Sequence, residues 1–440
     1  MIPEPSSESG NESVENPGRM ESPERVGNAK QVENVESMEN PGREESGLPT
    51  AERAGPDFAN ATPSAVAVVP EPLPFSFTGQ ATPYFRIWIV NFLLSVVTLG
   101  LWSPWAKVRK RRYFYGHTWV GGANFEYHGN PVAILRGRLI AAAAFVVYWF
   151  VDHLLPGAGP ALLLVLLTAA PWIVARSLAF NAANSSHRGI RFGFDGSARA
   201  VLAAIWPLFL WPIVLWLSER DPLAIVENAT AFIVTTAGLY LVLLCVYPYA
   251  VARVRRLTVS HSSWGQTRFL SSMRTKKVYA IYGIAIVLGV AGLVAMAVVG
   301  VAGYFVARLV PDIDADTIGI ATAVWAGLLY VILVIVVMAY TRSRVGNLVF
   351  DTAELADLAR FKSRVSARRL ARLYAQNLFA IMFSAGLLIP WAAIRVARYR
   401  VESLSVQPQA ALDSVSSAVT AGASATGEEL GEVFGFDLAL

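Results

Sequence analysis

One cysteine, Cys245, stands in 440 residues, and it lies inside an apolar run. That excludes a disulfide within the chain and any cysteine-based zinc site. Acids are nearly missing from the long apolar stretches: Asp152 sits at the end of one, and none falls at mid-depth. Ion-driven carriers keep such a group, because a charge inside a bilayer is costly and is retained for use. Ion coupling is therefore disfavoured. No phosphate-binding or dinucleotide-binding glycine motif and no HExxH pair occurs, and no Ser/His/Asp set has a recognisable spacing. Neither catalysis nor a cofactor is expected. The amino terminus is acidic and polar, and does not read as a signal peptide.

What the chain has in abundance is apolar sequence, 54% of its residues, with a mean hydropathy of +0.45. That composition puts a membrane protein first. Charge is unevenly divided. Residues 1–74 hold fourteen acids and five bases, 401–440 hold six acids and no base, and 75–400 hold thirty-two bases and twelve acids. The chain divides accordingly into an acidic, compositionally disordered tail (1–74), a membrane domain (75–406) and an acidic carboxyl tail (407–440). ENPGRMES from Glu15 and ENPGREES from Glu39 duplicate a phrase within the first tail, as slippage in an unconstrained linker would.

Eight apolar stretches follow, at 84–105, 139–155, 160–180, 201–217, 229–251, 278–305, 317–340 and 374–394. Most reach the roughly 20 residues that a helix needs to cross about 30 Å of hydrocarbon. The expected fold is an all-α multi-pass protein of about eight transmembrane helices in a repeat arrangement, with small β-hairpins. Loops 107–138, 176–199, 253–277 and 342–372 hold twenty-six Lys and Arg against five acids. The connections between them are acidic, so the positive-inside rule places the four basic loops in the cytoplasm.

Those loops share a phrase. Pro104, Trp105, Arg109 and Tyr113 recur as Pro171, Trp172, Arg176 and Phe180, then as Pro248, Tyr249, Arg253 and Leu257, and finally as Pro390, Trp391, Arg395 and Tyr399. Tyr340 and Arg342 form a degraded copy. Residues at i, i+4 and i+8 share a helix face, so each copy carries an aromatic–arginine–aromatic stripe off the end of a membrane helix. The aromatic suits the headgroup level, and a cation–π contact with the arginine is worth about 0.5–2 kcal/mol.

After each stripe, glycine turns and alternating aromatics (Phe125 and Tyr127, Phe192 and Phe194) predict β-hairpins. Phe75 and Phe77 before the first stretch and VESLSV from Val401 after the last have the same style, so first and last strands are placed to pair. Eight full crossings would set these flanks opposite the other hairpins. The alternative is that the first and last stretches re-enter, turning near Thr98-Leu99-Gly100 and Ser384-Ala385-Gly386.

Single residues admit modest readings. Asn91 and Asn377 suit interhelical hydrogen bonds better than a solute path. His117 and His261 share a frame with Asn184, which fits hairpin surface better than a metal. Gly283, Gly289, Gly292, Gly300 and Gly303 suggest tight helix packing. The basic loops are explained by an anionic membrane surface, at about 1 kcal/mol per Lys or Arg, so anionic lipids and not nucleic acid are the expected partners.

The run from Phe75 to Pro131, with TLG…PWAKVR…RYFYG…F.YHG.P.AILRGRLIA, resembles the YjgN-like family of bacterial inner-membrane proteins. The likeness extends through RFGFDG to RVESLSV and GEELGEVF. It implies a multi-pass inner-membrane protein in a family without an assigned activity, so it carries no site residues over. Two roles from different classes follow. The preferred one, by analogy with many-helix repeat bundles, is a conduit for a small solute, with Arg109, Arg176, Arg253 and Arg395 around its mouth. The other is a non-enzymatic scaffold whose Trp–Arg stripes hold anionic lipid.

Overall fold

The computed structural model describes residues 71–155, 158–209, 229–309 and 314–409. Both acidic tails, apart from their inner edges, and the 210–217 part of the fourth apolar stretch lie outside the described residues.

The all-α expectation is overturned. Eleven strands form one antiparallel sheet, in the order β1-β11-β10-β9-β8-β7-β6-β5-β4-β3-β2. They are β1 (Leu73–Pro74), β2 (Ser76–Phe77), β3 (Thr118–Val120), β4 (Ala123–Tyr127), β5 (Ser185–His187), β6 (Ile190–Phe194), β7 (Ser262–Trp264), β8 (Thr267–Ser271), β9 (Ala353–Leu355), β10 (Ala359–Ser363) and β11 (Leu404–Pro408). The hairpins do not stay separate, because each would expose two unpaired edges; pairing with the next hairpin removes them. β1 and β2 end the order on opposite sides, yet only Phe75 separates them in the chain. Phe75 donates its N–H to the Leu404 carbonyl at 3.1 Å. The sheet is thus closed by the meeting of the first strands with the last.

Its interior follows from a period of two. In β10, Ala359 and Ser363 are buried and Phe361 half-buried, while Arg360 and Lys362 are exposed. Phe75, between β1 and β2, and one phenylalanine from each hairpin, Phe125, Phe192, Phe269 and Phe361, point inward. Successive rings in that order lie 6.3, 6.3, 6.5 and 5.9 Å apart. Opposite Phe125, Phe192, Phe269 and Phe361 in the register stand His187, Trp264, Leu355 and Val406. All four are buried. The barrel is filled by these side chains, which belong to or pack against one buried cluster.

Helices alternate with the hairpins: α1 (Ala81–Val97), α2 (Ser103–Gly116), α3 (Pro131–Leu154), α4 (Ala158–Ala183), α5 (Ala198–Ile205), α6 (Ala229–Ser260), α7 (Thr275–Arg308), α8 (Ala315–Asp351), α9 (Ala367–Phe383) and α10 (Ile389–Glu402). Each packs on its neighbour in the chain, and α10 packs on α1, which closes a ring of helices above the barrel. Among the described residues four helices are long and apolar enough to cross a membrane: Pro131–Leu154, Val165–Ala183, Thr275–Arg308 and Asp316–Asp351. That corrects the count of about eight.

Two of the missing crossings are the first and last stretches, which break in the middle. Leu99 (φ 49°) and Gly100 (φ 90°) take left-handed backbone, as do Ala385 (φ 48°) and Gly386 (φ 92°). Gly100 N–H reaches the Ser95 carbonyl at 2.7 Å, and Gly386 N–H reaches Ile381 at 2.8 Å. Leu99 and Ala385 close the inner bond of the same Schellman turn, on Val96 and Met382. The Thr98 and Ser384 hydroxyls then accept the N–H of Trp102 and Leu388, the N-cap residues of α2 and α10. Both stretches turn back toward the barrel, so the flanking strands lie with the other hairpins. A backbone bond recurs five times around the barrel, from the residue after each second strand to the residue before the next first strand: Thr78 to His117, His128 to Asn184, Asp195 to His261, Ser272 to Thr352 and Arg364 to Ser403, at 2.7–3.0 Å.

Candidate functional site

The stripe residues occupy one level of the helix ring. Pro104, Pro171, Pro248 and Pro390 each stand fourteen residues before the first residue of a strand, Thr118, Ser185, Ser262 and Leu404. Each stripe arginine lies over an aromatic ring. The distances are 5.4 Å for Arg109 on Trp102, 5.8 Å for Arg176 on Trp172, 5.3 Å for Arg253 on Tyr249 and 4.5 Å for Arg395 on Trp391. In the first copy Trp105, expected as the partner, stacks instead on Trp102 at 5.3 Å. The guanidinium groups of Arg109, Arg176 and Arg253 are exposed, and Arg395 is half-buried between Gln376 and Asn377.

Sequence reasoning missed one member. Counting fourteen back from Ala353 reaches Ala339, which makes Tyr340 and Arg344 the fourth pair, not Tyr340 and Arg342. Arg344 lies 5.9 Å from the Tyr340 ring. The spacing to the strand was the usable signal, and the absent proline hid it.

The third stripe residue turns inward. Tyr113 is buried, and its hydroxyl donates to the Gln80 carbonyl at 2.7 Å and accepts the Gln80 N–H at 2.9 Å, at the start of α1. Tyr399 accepts the Ser366 N–H at 2.7 Å, at the start of α9. Phe180 is buried, and Leu257 packs against the Val174–Val201 cluster. Tyr113 and Tyr399 thus fasten α2 to the start of α1 and α10 to the start of α9, and Leu257 packs α6 against α4 and α5.

His117 and His261 do not face a common ligand. Nδ1 of each meets the carbonyl four residues back, Tyr113 at 2.7 Å and Leu257 at 3.1 Å. Asn184, Thr352 and Ser403 do the same with their own side chains. Asn91 and Asn377, buried in the two short helical hairpins, join their arms: Trp102 Nε1 donates to Asn91 Oδ1 at 3.2 Å, and Asn377 Nδ2 donates to the Ala392 carbonyl at 3.3 Å. Of the α7 glycines, Gly292 packs against Leu333, whereas Gly283, Gly289, Gly300 and Gly303 have open space around them.

A second basic group faces the inside of the ring. A cavity of about 760 Å3 lies between α2, α8, α9 and α10, with Phe77 and Phe125 of the barrel among its lining residues. Lys110, Arg111, Arg342 and Arg400 line its barrel end, and none of the five stripe arginines does. Arg111 donates to Tyr127 Oη and to Asn181. Burial is the main cause holding the Arg255 and Arg400 guanidinium groups below their ordinary value. Tyr282 opposes it at Arg255 and Tyr374 at Arg400, while the like charge of Arg400 on Arg255, and of Arg342 on Arg400, adds to it.

These features define a class: a membrane protein in which a ring of helices stands on a closed, side-chain-filled β-barrel, with arginines both around and inside the ring. The chain belongs to the family described as bacterial protein of unknown function (DUF898), whose model matches residues 72–433. It is 29% identical over 359 residues to the inner membrane protein YjgN of Salmonella typhimurium, covering 75% of this chain and 87% of that one. It is 32% identical over 147 residues to the Escherichia coli K12 protein of the same name, a match covering 32% of this chain and 35% of the relative. No solved structure matches the chain.

Proposed function

We propose that this chain is a non-enzymatic, multi-pass protein of the bacterial inner membrane, built from an internally repeated helix–hairpin–helix unit, that holds anionic phospholipid headgroups around its helix ring. The observation that carries the reading is the set of five arginine–aromatic pairs at one level, each fourteen residues from its proline position to its strand. Aromatic rings favour the headgroup region, and a guanidinium over such a ring keeps its charge available to a phosphate. The barrel lies on the cytoplasmic side in this reading, because its loops carry the excess of Lys and Arg. The relatives' names support the inner membrane as its location.

Native mass spectrometry of the purified protein is the test. Replacing Arg109, Arg176, Arg253, Arg344 and Arg395 by Gln is expected to strip most retained phosphatidylglycerol or cardiolipin; equal retention would end the reading. A second role, passage of a small solute, draws on the cavity inside the ring. Against it, the phenylalanine layer stands across the axis of the barrel, so a route along that axis requires those rings to move. Flux of a panel of anions and metabolites into liposomes tests that role, and no flux across the panel would end it.

A further inference from the structure

We infer that the cavity between α2, α8, α9 and α10 is a binding site for one anionic, acyl-chain-bearing lipid, distinct from the belt outside. The inference does not depend on the belt.

The cavity is graded along one axis. From Tyr330 to Met338, α8 presents an apolar wall, which Leu378 and Ile381 of α9 face. Arg342 follows one turn later, and Arg400 and Lys110 meet it at the barrel end. The helical rise makes the Tyr330-to-Arg342 span about 18 Å, more than half of a bilayer's hydrocarbon thickness of about 30 Å. That is the reach of an acyl chain in a single leaflet.

Among the described residues, Lys110, Arg255, Arg342 and Arg400 have no carboxylate partner within ion-pair distance. Of these, Lys110, Arg342 and Arg400 line the cavity, Arg400 half-buried and the other two exposed; like charges brought together without a counter-charge repel one another, and an anion would offset that cost. A free inorganic anion would satisfy the arginines and leave the apolar wall unfilled. A neutral lipid would fill the wall and leave the charges unpaired. Only a molecule with both parts matches the gradient. Arg400 also breaks the repeat: its position is Phe114, Asn181, Thr258 and Val349 in the other copies. The architecture does not need a charge there, which points to a ligand.

The experiment uses the full-length protein in nanodiscs of defined composition, with a phosphatidylglycerol carrying a photoreactive group in its acyl chain. Cross-links are expected on the peptides holding 330–338 and 378–381. Cross-links confined to the outer faces of the helices would overturn the inference without any variant being made. In parallel, native mass spectrometry compares wild type, Arg342→Gln/Arg400→Gln and the cavity-filling Ala393→Trp in phosphatidylglycerol, phosphatidylethanolamine and inorganic phosphate. One phosphatidylglycerol is expected to stay on wild type and on the variant lacking the five belt arginines. Both cavity variants should lose it at least tenfold. Retention by both cavity variants, or equal retention of phosphatidylethanolamine, would contradict the site, and phosphate alone competing it off would show a free-anion site instead. Loss from the belt variant alone would leave the belt standing and the cavity site refuted.

Discussion

The outer belt and the inner cavity both carry arginines on the same helices, but they differ in regularity. The belt repeats: Arg109, Arg176, Arg253, Arg344 and Arg395 each lie over an aromatic ring, nine residues before the next strand. The cavity does not, since Lys110, Arg342 and Arg400 come from three different places in the unit. Features that recur hold the architecture and meet a surface that is the same all round. Features that break the recurrence mark the place where one particular molecule is expected.

The largest expected effect comes from attacking what every unit shares. Phe192→Asp places an unpaired carboxylate in the barrel's phenylalanine layer and is expected to cost more than about 3 kcal/mol. Fluorescence-detected size exclusion should show aggregation, and a wild-type profile would refute a filled barrel. Next is Gly129→Val. A Cβ at Gly129 would meet the Tyr127 ring at 2.5 Å, and Gly79 and Gly196 are held alike by Phe77 and Phe194. A loss of about 1–3 kcal/mol in thermal stability is expected; no loss would mean the ring is free to move aside.

A pH effect follows in size. Burial, the largest cause, holds His187 below its ordinary value of 6.5; the hydrogen bond to the Asn124 carbonyl opposes this, and the Arg188 charge reinforces it. The folded state therefore favours neutral imidazole. The unfolded chain takes up its proton first, so the stabilising contribution is full above about pH 6.5 and is lost as pH falls through the lowered folded value. Melting temperature should fall between pH 7.5 and 5, and His187→Leu should flatten that slope; an unchanged slope would remove His187 from the account. The smallest effect is Asn91→Leu, which leaves the Trp102 indole N–H unpaired at a cost of about 1 kcal/mol, seen as a small drop in melting temperature. No drop would mean that the Asn91 bond does not steady the hairpin.

Much of this was legible in the sequence. Phe125, Tyr127, Phe192 and Phe194 announced strands by alternation, and the flanks at Phe75 and Val401 suggested a closing pair. The joining of successive hairpins into one sheet was not legible, because a three-residue strand such as Ser185–His187 is too short to show its period. The crossing count failed on Leu99 and Ala385: hydropathy reads through a residue in left-handed backbone, whereas Gly100 and Gly386 were the visible sign of the turns. Arg344 was hidden by Ala339 standing where proline stands elsewhere. The cavity lay beyond reach, since Lys110, Arg342 and Arg400 meet only when the ring closes.

Closure is the claim on which the rest depends, and a cross-strand cysteine pair tests it. Pro74 and Ser405 are register partners across the closing seam. Opposed residues of antiparallel strands lie about 4.5–5.5 Å apart at Cα, within disulfide reach. With Cys245→Ser as background, Pro74→Cys/Ser405→Cys is predicted to oxidise almost completely in native membranes, joining the first strand to the last. Two free thiols there, with the control pair Trp119→Cys/Asn124→Cys fully oxidised, would show an open sheet and contradict the account.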